Sequence, residues 1–325
     1  MKEYGGYFSL ETVSDTCVSE LPPAIDFNTA RNALSALIKK NKYKSIYYPR
    51  LMCGNVKKTI QQRFSSLQFK EYSVNELLEP ELVITGSNIS PLYYVNYCAI
   101  KDSFAKNLPE HSIIDNAQAF YTKPNNKNAN IYSCRKFFGV PDGALLTCPT
   151  PLSQKLISYR NIHTRHLTLR HYKNANAGYS DYLKSEALLE KSVPAGMSKF
   201  TKQIMEHIDH KEVITKRARN YNILESVLGE SNQLQFLLKQ RESRTIPFCY
   251  PYLPKQATKE VKNLLIKNQI YLPTYWSNVI DDTNANSWEK LYASKTLFLP
   301  IDQRYSESDM HHLLSKLNKH CAFSY

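Results

Sequence analysis

Hydrophobic positions recur along this chain in two alternating rhythms. Short apolar runs at residues 45–49, 81–87, 111–115 and 144–147 have the length and composition of buried strands. Between them lie stretches with apolar residues at helical spacing. Ala33, Leu34, Leu37 and Ile38 mark one helix, with Asn28 or Thr29 as its cap, and residues 56–64 and 94–104 mark two more. Strands alternating with helices through residue 150 predict a mainly parallel, doubly wound α/β sheet. Ligands of such sheets sit beyond the carboxyl ends of the strands, where Ser87 and Asp115 fall.

Further along, Ser198 is expected to cap one long helix with Phe200, Ile204, Ile208, Ala218, Tyr221 and Leu224 as its apolar stripe and Gly229 as its stop. Strands are predicted at 246–250, 270–273 and 298–301, and helices at 258–268 and 306–317. Ser306 and Asp309 form a capping box for the last. Residues 1–26 read as an arm, held extended at Leu21-Pro22-Pro23. Residues 152–196 carry the weakest pattern. Their Arg165, His166, Arg170 and His171 read first as a solvated basic helix face, with contact to a substrate phosphate as the alternative.

Composition narrows the class. With 42% hydrophobic and 22% charged residues over 325 positions, the chain can bury a large core and is not a disordered protein. It has no apolar run long enough to span a membrane and no apolar leader, so a soluble cytoplasmic protein without membrane partners is expected. Seven scattered cysteines without a C-x-x-C pair read as reduced thiols. The close histidine pairs, His207 with His210 and His311 with His312, have no further ligands beside them, so no metal site is expected. A net charge of +13 with 23 tyrosines raises nucleic-acid binding, but the lysines and arginines are spread out and form no recognisable module. The charge reads instead as a solvated basic surface that helps an anionic small molecule to its site.

The stretch with chemistry in it runs from Ile113 to Gly143. An apolar strand delivers Asp115, and Ser133-Cys134-Arg135-Lys136 follows, leading into a loop with Gly139, Pro141 and Gly143. A carboxylate at a strand end and a lysine after a serine are the parts that pyridoxal phosphate (PLP) needs. The lysine joins the aldehyde, and the carboxylate keeps the pyridine nitrogen protonated.

These residues resemble the sugar aminotransferases of the DegT/DnrJ/EryC1 type, which are fold-type I PLP enzymes. Asp115 and Gln118 fall on that family's Asp-x-x-Gln segment, and Lys136 falls on its lysine, with Gly143 seven positions on. Residues 296–317 are also similar, and the rest of the chain is so more loosely. The resemblance implies a large PLP-binding domain at 27–196, with a linking helix and a small α+β domain at 197–325. It implies a homodimer that transfers an amino group, from glutamate, to a nucleotide-linked keto-sugar. Lys136 and Asp115 would be catalytic, and Gln118 and Ser133 would bind the cofactor. The cofactor phosphate would lie at the start of the first helix, where the family's Gly-Thr is replaced by Ala30-Arg31 and the guanidinium takes the place of the hydroxyl. Cys53 stands where the family often stacks an aromatic on the ring, and Pro194 where it has an asparagine that reaches the partner subunit. These departures leave a second reading open, a PLP-fold protein that binds a ligand with altered or lost catalysis. A basic nucleic-acid-binding protein is the third.

Overall fold

Buried Ile113 and Ile114 place the strand that ends in Asp115 inside the main sheet. The computed structural model describes residues 2–14, 24–82, 87, 89–150, 152, 156–255 and 259–321. After a short β1 (Tyr4–Gly5), the main α/β region comprises β2 (Ile25–Phe27), α1 (Ala30–Asn41), β3 (Ser45–Pro49), α2 (Gly54–Arg63), β4 (Gln68–Tyr72), β5 (Tyr93–Val95), α3 (Asp102–Lys106), β6 (Ile113–Asp115), β7 (Ala129–Ser133) and β8 (Ala144–Thr147). The main sheet has the order β2-β8-β7-β6-β5. Its β5–β6 and β6–β7 pairs are parallel, while β7–β8 and β8–β2 are antiparallel. The parallel pair β3–β4 joins the β5 side through a single bridge between Tyr47 and Leu92. The sheet is thus parallel through its middle and antiparallel along one edge.

Local chemistry explains the first helix. Thr29 caps α1 by accepting from the Asn32 amide, and buried Ala33, Leu34, Leu37 and Ile38 face the sheet. Residues 94–104, expected to be helical, instead form β5, one 3-10 turn at Tyr97–Ala99, and α3. Cys98 and Ala99 take positive φ values of 52° and 61°, which interrupts any continuous helix there. Of the strand expected at 81–87, residues 83–86 lie outside the described residues, and Ser87 makes only an isolated bridge to Ser90. The Leu21-Pro22-Pro23 turn also lies outside them.

The second half begins with a helical hairpin, α4 (Arg165–Tyr172) and α5 (Ala175–Lys191). The single long helix expected after Ser198 is two, α6 (Lys199–Glu206) and α7 (His210–Leu228). Asp209 makes the break by accepting from the Glu212 amide and starting a new helix. Then come α8 (Gln235–Leu238), β9 (Tyr250–Tyr252), α9 (Lys259–Lys267), β10 (Ile270–Tyr271), α10 (Ser287–Lys295), β11 (Leu297–Leu299) and α11 (Glu307–Cys321). The strand expected at 246–250 therefore starts only at Tyr250, where it pairs antiparallel with β11. The Ser306–Asp309 capping box forms as expected, each residue accepting from the other's amide. The first and last parts of the chain meet, because β1 pairs in parallel with β10.

Asp142 ties the two halves together. Fully buried, it accepts from the Ser198 amide at 2.8 Å, from the Ser198 hydroxyl at 2.6 Å and from the Thr201 hydroxyl. Asp142→Ala strands these donors at the start of α6 and is expected to cost about 3 kcal/mol, on the scale of buried donors left without partners. A lowered urea midpoint checks this, and an unchanged midpoint would refute it.

Candidate active site

Neighbouring strands bring the sequence motif together. Asp115 at the end of β6 pairs with Ile131 of β7, so Ser133 stands two residues farther along the adjacent strand, roughly 6–7 Å onward. One 3-10 turn, Cys134–Lys136, then carries the lysine away from the sheet. The Cys134 amide donates to the Gly143 carbonyl at 3.1 Å and closes the loop. Gly143 has a φ of +116°, and a Cβ there would lie 3.0 Å from Thr201 and 3.2 Å from Cys134. Only glycine meets both demands.

The loop after Lys136 is held from far away in sequence. The Phe137 carbonyl accepts from Gln303 at 2.8 Å and from Arg217 at 3.3 Å. Gly139 exchanges two hydrogen bonds with Glu11, its amide donating to the carboxylate at 2.8 Å and its carbonyl accepting from the Glu11 amide at 3.1 Å. A Cβ on Gly139 would sit 1.7 Å from the Ser9 carbonyl oxygen, so the N-terminal arm docks only against glycine. Arg217 is fully buried over the Phe137 ring at 4.4 Å, and Phe137 and Phe138 anchor an aromatic cluster with Phe120 and Tyr132. Burial pushes the Glu11 carboxyl up and the Arg217 guanidinium down from their ordinary values.

Ser133 and Lys136 face a cavity of about 670 Å³ bounded by the arm, α4, α5, α7 and the C-terminal segments. Five cations line it (Arg135, Lys136, Arg170, Arg217 and Arg304) against two acids, Glu186 and Asp302. Both acids are already matched, Glu186 by Arg135 and Asp302 by Arg304 at 2.7 Å. The cavity therefore favours an anion. Aromatic side chains, among them Tyr7, Tyr182, Tyr275 and Phe298, fill much of the remaining wall.

The basic patch on α4 differs from its expected solvated form. Arg165 and His171 are exposed, but His166 and Arg170 turn inward and line the cavity. Arg170 lies over the Tyr7 ring at 4.7 Å and donates to the Gly5 carbonyl at 2.7 Å. His166 packs against the stacked pair of Tyr7 and Tyr182, 5.8 Å from each between ring centres. Arg135 and Arg217 were missed as site residues in the sequence, and His166 and Arg170 entered it only through the alternative reading of the α4 patch. The only signals for them were the adjacency of Arg135 to Lys136 and the helical spacing of His166 and Arg170.

The other expected residues lie beside this cavity rather than in its walls. Ala30 and Arg31 are the first two residues of α1, ahead of the first bonds that return to Thr29. The Arg31 guanidinium makes no hydrogen bond among the described residues. Burial pushes its pKa down, with smaller electrostatic effects that include those of Glu186 and Arg135. Cys53 is an exposed thiol at the start of α2. Asp115 accepts from the Ala117 amide at 2.9 Å and from the Tyr93 hydroxyl at 2.5 Å. Gln118 is buried, and its carbonyl oxygen accepts from the Cys98 amide at 3.1 Å. The Ser133 hydroxyl makes no hydrogen bond among the described residues, where no cluster of candidate metal ligands occurs either.

The sequence matches no protein-family model and no curated protein. Its fold is nevertheless that of solved sugar aminotransferases. It is similar to PseC of Helicobacter pylori, an aminotransferase of pseudaminic acid biosynthesis, with a TM-score of 0.58 and 12% identity over 99% of this chain and 100% of that one. It is similar to the sugar aminotransferase CalS13 of Micromonospora echinospora, with a TM-score of 0.55 and 11% identity over 91% and 87% of the two chains. A third similar structure is NtdA of Bacillus subtilis, solved with the cofactor PMP, with a TM-score of 0.59 and 11% identity over 93% and 74%. At such identities the shared property is the fold, that of the fold-type I aminotransferases.

The buried histidine gives the site a pH signature. Burial, then Arg135 and His163, push the His166 pKa from 6.5 down to about 4. The folded protein therefore holds His166 neutral where the unfolded chain takes up a proton. Stability from this source is complete above pH 6.5 and is lost as pH falls toward 4, by up to about 3 kcal/mol. In His166→Asn the urea midpoint is expected to fall less steeply across that interval than in the wild type. Parallel slopes would count against it.

Proposed function

We propose that the protein is a PLP-dependent aminotransferase that moves an amino group, from glutamate, onto a nucleotide-linked keto-sugar. The observation that carries this is the placement of Ser133 and Lys136 on the wall of a cation-rich cavity, one strand over from the Asp115 carboxylate. The likeness of the fold to sugar aminotransferases supports the same reading. In this reading residues 27–196 hold the cofactor, and 197–325 form the linking helices and the small domain.

The residues fit PLP at both ends of its ring. Asp115 offers a carboxylate for the pyridine nitrogen, and Lys136 an amine for the aldehyde. Arg31, a partly buried cation without a hydrogen-bond partner among the described residues, stands with the first amides of α1 for the phosphate. The Ser133 hydroxyl is placed to join them, and Gln118 keeps its amide nitrogen for a contact at the ring edge. Cys53 offers only a thiol face in place of an aromatic one.

When bound, PLP supplies an electrophilic carbonyl for amines and a ring that takes up an electron pair. Lys136 Nζ acts as the base that removes the proton from the donor's Cα and then as the acid that returns one. Asp115 holds a proton at the ring nitrogen. The surplus arginines of the cavity attract the donor's carboxylates and the acceptor's diphosphate, while Tyr182, Tyr275 and Phe298 exclude water around them.

The assembly belongs to the same reading. Tyr179 and Leu183, one turn apart on α5, leave apolar side chains exposed, and a second copy of this chain is the expected cover. A cytoplasmic setting is supported by five free thiols among the described cysteines. No helix of the described residues is long and apolar enough to cross a membrane.

Two experiments test this. The full chain incubated with PLP is expected to gain a visible absorbance band that glutamate bleaches. Borohydride followed by mass spectrometry should locate the cofactor on Lys136, and Lys136→Ala should lose both signals. A trapped cofactor without any response to glutamate or other amino donors would favour the ligand-binding reading, and no band at all would overturn the assignment. For the assembly, sedimentation should give a dimer that Leu183→Glu converts to monomer. A wild-type monomer would refute the dimer.

A further inference from the structure

Resting on the assignment of Asp115 to the cofactor ring, we infer that Tyr93 is the positioning residue for that carboxylate, holding it from beneath through its phenol hydroxyl. Tyr93 opens β5 and Asp115 closes β6, and in their parallel register Tyr93 stands opposite Ile113 and Val95 opposite Asp115. Residues two apart on a strand share a face, and directly paired residues share it too. Tyr93 is thus on the same face as Asp115, one pleat back, on the side away from the carboxyl ends where ligands of such sheets sit. Its ring is 2% exposed and packs in an apolar pocket with Leu34, Tyr48, Met52, Ile60 and Phe69. Its hydroxyl leaves that pocket upward and donates to Asp115 Oδ2 at 2.5 Å.

The arrangement fixes both oxygens of one carboxylate. Oδ1 accepts from the Ala117 amide at 2.9 Å and Oδ2 from Tyr93, so the plane of the group is set by two protein donors. Carboxylate oxygens have lone pairs beyond those that these two donors occupy. Burial, followed by the charge of Asp115, pushes the Tyr93 phenol well above its ordinary value. The phenol therefore keeps its proton and stays a donor to Asp115. A phenol placed only to satisfy its own hydroxyl would affect any occupant of the site alike. A phenol that orients Asp115 affects only an occupant with a ring N–H.

That difference makes the role testable apart from turnover. Tyr93→Phe keeps the ring and removes the donor. Affinity is to be measured by fluorescence titration of the full-length apoprotein with PLP and with 1-deaza-PLP, in which carbon replaces the ring nitrogen. The expected result is PLP affinity weakened about tenfold by Tyr93→Phe, as for loss of a hydrogen bond to a charged group. Affinity for the deaza analogue should change less than about twofold, and the effect on PLP should vanish when Asp115→Asn is already present. Equal losses for both cofactors, no loss for either, or a tyrosine effect that persists in Asp115→Asn would each overturn the role of Tyr93 while leaving the cofactor assignment standing. A wild-type protein that binds neither compound would remove the cofactor assignment and this role with it.

Discussion

The backbone of the turn that carries Lys136 cannot be satisfied within itself, and the rest of the molecule closes around that need. A strand that stops at Ser133 and resumes at Ala144 leaves a run of buried peptide groups without a ladder, and buried amides and carbonyls require partners. The partners come from the arm through Glu11, from α7 through Arg217, from the C-terminal segment through Gln303, and from Asn28, whose carbonyl accepts the Gly143 amide at 2.8 Å. Residues at opposite ends of the chain therefore have to meet over its middle. The β1–β10 pairing does the same for the arm, and two glycines at 139 and 143 give it room.

That closure also creates the electrostatics of the site. Arg217 and Arg304 enter the cavity because their backbone elements support the lysine turn and the arm, and Arg170 enters because it binds the arm's carbonyls. Glu186 and Asp302 offset only part of this charge. Within the cavity the remaining cations act on an anion at short range, whereas the same arginines spread over an open surface would be screened within about 10 Å. The +13 net charge of the chain does not by itself select a ligand. The concentration of arginine around Lys136 does.

Much of the fold was legible because its elements follow simple local rules. The apolar run before Asp115, the Thr29 cap with Ala33, Leu34, Leu37 and Ile38, and the Ser306–Asp309 box each appear as the pattern predicts. The failures have a common cause. His166 and Arg170 look like surface residues by composition, yet a cavity is a polar interior, and residues facing it obey neither the surface rule nor the core rule. The break at Asp209 depends on a side chain competing for a backbone amide inside an otherwise continuous apolar stripe. The role of Tyr93 was not legible, because its hydroxyl acquires meaning only from the β5–β6 register, which a single strand's sequence does not contain.

The departures from the family pattern then fall into one arrangement. A cofactor ring stacked on an aromatic is held by its faces, and Cys53 offers little of that. Holding must shift to the ring's edges, where the directional groups are. In the proposed assignment Asp115, held by Tyr93 and Ala117, would serve one edge, and Arg31 with the first amides of α1 would stand in for a threonine hydroxyl at the other. A guanidinium reaches farther than a hydroxyl and carries a full charge, so on that assignment Ala30-Arg31 would strengthen the phosphate end where Cys53 would weaken the face. Gln118 accepts from the Cys98 amide with its carbonyl oxygen, so on the same assignment its amide nitrogen would be the group left for the ring edge. On the proposed assignment, the loss of stacking and the gain of edge contacts would therefore be two sides of one substitution pattern, carried by residues from β5, β6, α1 and the start of α2.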